Sequence, residues 1–155
     1  MSTQLQSANP RLGIAPEPHA PLFDHHAINQ AVREAAVRGT LAVGLAGVAV
    51  IHAVDGVGKW SEVRYMFWMY MALIAGALIT AGAVLFTRSR AALLAAAAVA
   101  ASAFAGYVLS RTSGLPNATD DIGNWTEPLG LASLVVEGCV VAVALGALRA
   151  LRPST

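Results

Sequence analysis

Glu137 stands inside an apolar run, from Pro128 to Leu148, that is long enough to cross a lipid bilayer. An ionisable group in hydrocarbon is costly, and it usually has a partner, a bound proton or a function. At 1.5 Å per residue Glu137 lies roughly 13 to 14 Å from Pro128, near the bilayer midplane, with Ser133 one turn away on the same face. Glu137 is therefore either a proton-handling or ligand-binding carboxylate, or a neutral side chain that hydrogen-bonds a neighbouring helix.

Other polar residues are predicted at similar depth in the neighbouring runs. His52 and Asp55 are three residues apart, so they share a helical face. This pair suits a metal or haem ligand with a supporting carboxylate, although one histidine does not make a metal site. Tyr70 and Tyr107 lie within about two turns of the same membrane boundary. If the helix faces agree, these residues form an intramembrane polar cluster of Glu137, Ser133, His52, Asp55, Tyr70 and Tyr107.

The segment before the last run, from Arg111 to Glu127, is rich in turn-forming and acidic residues. Asp120 and Asp121 are adjacent acids, Trp125 suits an interface, and Glu127 precedes a proline that favours a helix start. The acids could hold a cation, but they lack the alternating spacing of a calcium loop. The other interpretation is an ordered loop that docks a partner.

The composition is that of an integral membrane protein. Hydrophobic residues make up 56% of the 155 residues and charged residues 12%, against about 25% charged in soluble domains. The apolar residues form four runs, about 39–54, 65–87, 91–110 and 128–148, close to the roughly 17–25 residues that a bilayer requires. The sequence predicts an all-α fold, a four-transmembrane-helix bundle over 39–152, with close contacts between its Ala- and Gly-rich runs.

The N-terminal region has a different character. Residues 1–24 hold four of the seven prolines and have no helical period, which predicts an extended cytoplasmic tail. Residues 25–38 follow Asp24, a good N-cap, and place apolar side chains on one face. They form either a short interfacial amphipathic helix or the first turns of the first span. The short link from Arg88 to Arg90 requires an antiparallel hairpin of the second and third spans.

Basic residues predict the orientation. Because positive charge is retained on the cytoplasmic side, both termini are expected in the cytoplasm of a bacterial cell membrane. Three basic residues lie on the predicted outer side, namely Lys59, Arg64 and Arg111. More lie on the predicted cytoplasmic side, namely Arg11, Arg33, Arg38, Arg88, Arg90, Arg149 and Arg152. Aromatic residues expected at the outer boundary agree with this orientation, namely Trp60, Tyr65, Trp68 and Trp125.

Two stretches carry a resemblance to a known group of proteins. "IHAVDGVGKWSEVRYMFWMYMAL" and "GYVLSRTSGLPNATDDIGNWTEPLGLASLVVEG" resemble small four-span membrane proteins of high-GC Gram-positive bacteria. The resemblance covers roughly residues 39–148 and depends on the His52/Asp55 pair, the Gly-Leu-Pro turn at 114–116 and the run from Asp121 to Glu137. It implies membrane location and topology, and no particular activity.

Two functional hypotheses follow. The first is an accessory or structural subunit of a larger membrane complex, such as an energy-transducing one, because four slender helices are expected to enclose little volume. The second is a self-contained membrane protein that handles protons, a metal or a small ligand through the cluster around Glu137 and His52. Without a nucleophile-base pair or a phosphate loop, an enzyme is disfavoured. Nucleic-acid binding is also disfavoured, because the sequence has no dense run of basic residues. The expected partners are membrane lipids and either other membrane subunits or further copies of this chain. The sequence does not indicate which cofactor, if any, is bound.

Overall fold

The computed structural model describes residues 24–151, and these residues form an all-α bundle. Four helices are long and apolar enough to cross a membrane, which confirms the predicted fold class. They are α1 (His25–Glu62), α2 (Arg64–Phe86), α3 (Arg90–Thr112) and α4 (Pro128–Ala150). The tail predicted for residues 1–24 lies outside the described residues, apart from Asp24.

The two ends of the bundle are named here by their connections. The loop end contains the α1–α2 junction at Val63 and the segment 113–127 between α3 and α4. The terminal end contains the start of α1, the short α2–α3 link and the end of α4. The α2–α3 link leaves no room for a crossover, so these two helices form the predicted antiparallel hairpin.

Helix α1 is longer than its predicted span at both ends. It has 38 residues, about 57 Å at 1.5 Å per residue. Residues 25–38 are the first turns of α1 rather than a separate interfacial helix, and the side chain of Asp24 caps them by accepting from the backbone N–H groups of His26 and Ala27. Residues 55–62, predicted as loop, are helical as well, and a Cβ atom at Gly56 in this stretch would lie 3.4 Å from the ring of Tyr70 on α2.

The other helices agree closely with the predicted spans, and local capping explains two of their starts. Ser89 accepts from the N–H of Ala91 at the start of α3. Glu127 accepts from the N–H of Gly130 at the start of α4, where Pro128 occupies the first turn. An N-cap of this kind satisfies backbone donors that have no partner within the helix.

The helices are arranged in a ring with a core of small residues. Helix α1 packs against α2 and α4, α3 packs against α4, and the α2–α3 contact is the least extensive of these neighbouring pairs. The core is supplied by all four helices and includes Leu41, Leu45, Val48, Ala77, Ala81, Ala96, Ala100, Val140 and Ala144. Large apolar side chains point outwards instead, among them Val43, Ile79, Phe86 and Val135. This distribution suits a lipid surrounding.

Gly44 allows α1 and α4 to approach each other closely. A Cβ atom at this position would lie 2.5 Å from Cγ2 of Val140. We expect Gly44→Ala to lower the free energy of unfolding by about 1–3 kcal/mol, as overpacking does in other cores. Denaturant unfolding in detergent micelles measures this change.

Gly39 in the same helix is the matched control, since a Cβ there meets no atom within 4 Å. Gly39→Ala should be neutral or stabilising by up to about 1 kcal/mol, because alanine is the better helix former. Equal destabilisation by the two substitutions would contradict the close α1–α4 contact.

The segment 113–127 is an ordered loop. Gly114 and Gly123 have φ angles of 73° and 81°, which glycine adopts without strain. The N–H of Gly123 donates to the carbonyl of Arg111 at 2.9 Å. The hydroxyl of Tyr65 donates to the carbonyl of Pro116 at 2.6 Å. These bonds hold the loop against the C-terminal end of α3 and the N-terminal end of α2.

Candidate functional site

Glu137 is completely buried, with 0% of its surface exposed. The hydroxyl of Ser133, one turn earlier on α4, donates to Oε1 of Glu137 at 2.5 Å. Within residues 24–151 no group bonds to the second carboxyl oxygen, Oε2. A buried carboxylate without a compensating charge is strongly unfavourable, so this carboxyl needs a proton or a cation.

His52 on α1 faces the same carboxyl. Its Nε2 lies 3.9 Å from Oε1 of Glu137, too far for a direct hydrogen bond. Its Nδ1 lies 2.9 Å from the carbonyl oxygen of Val48. Because a carbonyl only accepts, Nδ1 carries the hydrogen, and Nε2 of the neutral ring is left as an acceptor towards Glu137.

Tyr70 on α2 connects His52 to Asp55. Its ring meets the imidazole edge to face at a centroid distance of 5.1 Å. Its hydroxyl donates to Oδ2 of Asp55 at 2.6 Å. Within the described range, no Lys or Arg lies within ion-pair distance of Asp55. Asp55 therefore has the Tyr70 hydroxyl as a hydrogen-bond partner and no ion-pair partner in this range.

These side chains border a cavity of about 520 Å³ near the loop end, called here the loop-end cavity. Helices α2 and α3 supply most of its wall, since they are joined at the terminal end and have the least extensive contact. Its polar lining comes from His52, Asp55, Lys59, Tyr70, Ser102, Tyr107, Ser110, Arg111, Asp121, Glu127 and Ser133. Its apolar lining includes Met66, Met69, Leu73 and Val99. Glu137 lies next to the cavity through its bond to Ser133.

Arg111 organises the wall of the cavity formed by the loop. It is buried at the end of α3. Its guanidinium lies 2.5 Å from a carboxylate oxygen of Asp121 and 3.2 Å from one of Glu127. It also lies over the ring of Tyr107, 4.9 Å from the centroid. Arg111 is therefore already balanced by two carboxylates and is poorly placed to bind an anion.

Tyr107 belongs to the Arg111 side of the cavity rather than to the Glu137 side. Its hydroxyl lies 3.5 Å from the carbonyl of Trp125, whose ring meets it edge to face. A Cβ added at Gly130 would clash with the Tyr107 ring, so glycine is needed where α4 meets it.

The loop residues predicted to dock a partner have separate positions. Asp121 and Glu127 bind Arg111, Trp125 packs on Tyr107, and Asp120 is exposed. Two of the four, Asp121 and Glu127, thus line the cavity, whereas Asp120 and Trp125 do not. The prediction that they bind a partner stays a prediction.

The sequence interpretation left out the role of Arg111. It treated this residue only as a charge flanking the third span. A lone arginine just before an acidic loop is a signal for an ion-pair network, because a buried arginine is almost always paired.

The part of the chain that the structure describes contains no metal site of ordinary composition. Among residues 24–151 no three His, Cys, Asp or Glu side chains are grouped as metal ligands. The weak metal candidates His52 and Asp55 have different partners, the Val48 carbonyl and the Tyr70 hydroxyl.

The fold and the site together define the class of protein to which this chain belongs. Four apolar helices with outward-facing hydrophobic side chains make the chain a multi-pass membrane protein in contact with lipid. Its interior contains a polar cavity beside a buried carboxyl group. No protein-family model, curated protein or solved structure matches this chain.

Proposed function

We propose that this protein is a self-contained membrane protein that binds a small organic cation in the loop-end cavity. The observation that carries the proposal is the buried carboxyl of Glu137, whose Oε2 has no partner within residues 24–151. A proton or a bound cation satisfies this group, so ligand and proton compete for it.

The charges around the cavity favour a cation over an anion. Its lining includes three acids and two bases, the acids being Asp55, Asp121 and Glu127 and the bases Lys59 and Arg111. Arg111 is balanced by two of the acids, and Lys59 pairs with Glu62 at 2.9 Å. Asp55 is left at the lining to meet a positive ligand, and Glu137 lies behind Ser133, which lines the cavity. The ring of Tyr70 adds a surface over which a cation is attracted.

The size and walls of the cavity favour an organic molecule over a metal ion. A volume of about 520 Å³ falls within the range of roughly 300–1,000 Å³ that small-molecule sites occupy. Methionine, leucine and valine side chains give it an apolar wall. Met69 lines the cavity and is 54% exposed. We propose that an apolar cation enters beside this side chain, between α2 and α3.

The proposal includes the predicted orientation in a bacterial cell membrane, with both termini in the cytoplasm. Its support is the concentration of arginines at the terminal end, which comprises Arg33, Arg38, Arg88, Arg90 and Arg149. In this orientation the loop-end cavity lies in the outer half of the bilayer. The proposal also includes the resemblance of this chain to small four-span membrane proteins of high-GC Gram-positive bacteria.

An accessory subunit of a larger membrane complex is the alternative function. That hypothesis depends on the expectation that four slender helices enclose little volume, and the loop-end cavity of about 520 Å³ is the observation that favours a self-contained protein instead. Gentle solubilisation separates the two hypotheses. An accessory subunit is isolated with other chains in fixed stoichiometry, whereas a self-contained protein is isolated alone or as a homo-oligomer.

Equilibrium dialysis of the purified protein in detergent tests the binding function. The probe is tetraphenylphosphonium, a lipophilic cation, and its neutral control is triphenylphosphine oxide. We expect saturable binding of the cation and at least about tenfold weaker binding of the neutral compound, since a compensated buried charge contributes about 1.5–3 kcal/mol or more. Equal or unsaturable binding of the two compounds would overturn the proposal.

A further inference from the structure

A second cavity, of about 630 Å³, lies at the opposite end of the bundle. It is called here the terminal-end cavity and lies between α1, the end of α2, the start of α3 and the end of α4. Its polar lining consists of Gln30, Arg33, Glu34, Arg38, Thr87, Arg88 and Ser89. Its apolar lining consists of Val37, Val84, Ala92, Leu93, Ala147, Ala150 and Leu151.

Arg38 forms a fixed positive wall of this cavity. Its Nε donates to the carbonyl of Val84 at 2.8 Å, and its Nη2 donates to the carbonyls of Leu85 and Thr87. These carbonyls end α2, where they have no partner within the helix. Arg38 therefore joins α1 to the end of α2 and keeps its charge at the cavity.

The remaining charges leave the terminal-end cavity positive. Arg88 lies 3.4 Å from Glu34, and both side chains are largely exposed. No acidic side chain between residues 24 and 151 pairs with Arg33. Three arginines thus face one glutamate, and the excess positive charge has no protein partner within this range.

The position of the terminal-end cavity and the residues that line it indicate which kind of molecule fits. The arginines stand where the apolar spans end, at the depth of lipid headgroups. The apolar side chains of α3 and α4 continue from them towards the membrane interior. Arginine binds phosphate oxygens in a bidentate geometry. The cavity combines a phosphate-binding rim with a wall for hydrocarbon.

We propose that the terminal-end cavity binds an anionic phospholipid, with the phosphate on Arg33 and Arg88 and acyl chains along Leu93 and Ala147. A lipid anchored there contacts α1, the α2–α3 link, α3 and α4 at one end of the bundle. This site is separate from the loop-end cavity, so its failure and that of the cation site are distinguishable.

Native mass spectrometry of the purified protein measures this binding directly. The probes are phosphatidylglycerol and, as the neutral-headgroup control, phosphatidylcholine. We expect one tightly bound phosphatidylglycerol per chain and at least about fivefold weaker binding of phosphatidylcholine, from an attraction of roughly 1 kcal/mol for each basic residue near a lipid surface. Binding should weaken as salt rises.

Arg33→Gln should lower phosphatidylglycerol affinity about fivefold, and the double variant Arg33→Gln/Arg88→Gln about 25-fold, on the same scale. Arg149→Gln is the matched control, because Arg149 is exposed at the end of α4 and does not line the cavity. Equal affinity for the two lipids, or an equal effect of Arg149→Gln, would overturn the proposal. If inorganic phosphate competes with an affinity equal to that of phosphatidylglycerol, the site recognises only the phosphate group. That result would overturn the proposal of a lipid site.

Discussion

Glu137→Gln should lower the affinity for tetraphenylphosphonium by about 30-fold or more, because removing one side of a buried charge pair costs about 2–5 kcal/mol. Glutamine has nearly the same shape and can still accept from Ser133, but it carries no negative charge and has no titratable proton. The pH dependence of binding should disappear in the same variant. Equilibrium dialysis at several pH values measures both effects.

Asp120→Asn is the matched control for this change. It also converts a carboxylate into an amide, but Asp120 is exposed and does not line the loop-end cavity. It should bind the cation within about twofold of the unmodified protein, since an exposed charge is screened by solvent. If Glu137→Gln also retains affinity, Glu137 is a structural hydrogen-bonding residue and the proposed site is wrong.

Arg111→Met should lower the free energy of unfolding by about 2–3 kcal/mol. Methionine keeps much of the length of the side chain, but it leaves Asp121 and Glu127 without their shared cation. Removing one partner of a fully buried pair costs about 3–5 kcal/mol, and the effect here should be smaller because both carboxylates are partly exposed. Thermal and denaturant unfolding in detergent micelles test this expectation.

Lys59→Met is the control for Arg111→Met. Lys59 also pairs with a carboxylate, that of Glu62, but this pair joins residues three apart at the end of α1. Such a pair contributes about 0.5 kcal/mol or less. Similar losses in the two variants would contradict the central role assigned to Arg111 in the loop.

Much of the fold follows from local sequence signals. Bilayer-length apolar runs predict the four helices, and side chains close in sequence explain the caps by Asp24 and Glu127. The bond between Ser133 and Glu137 follows from their spacing of four residues on one helix. Each of these features depends on neighbouring residues, so one sequence is sufficient to predict it.

The remaining features depend on how separate helices are rotated and tilted. Glu137 meets His52 only because α1 and α4 turn these faces towards each other, and no local pattern specifies that rotation. Residues 55–62 continue α1, although their glycines and charges suggest a loop, and Gly56 in this stretch faces the ring of Tyr70 on another helix. The role of Arg111 likewise requires the path of the loop that brings Asp121 and Glu127 back to α3.

The central claim is that the carboxyl of Glu137 exchanges a proton for an organic cation. Isothermal titration calorimetry of tetraphenylphosphonium in buffers of different ionisation enthalpy counts the protons released on binding. Because a buried carboxyl without a cation needs a proton, we predict release of about one proton per ligand, and its loss in Glu137→Gln. His52→Gln should retain the release if Glu137 is its source. Binding with no proton release at any pH from 5 to 8 would contradict the account.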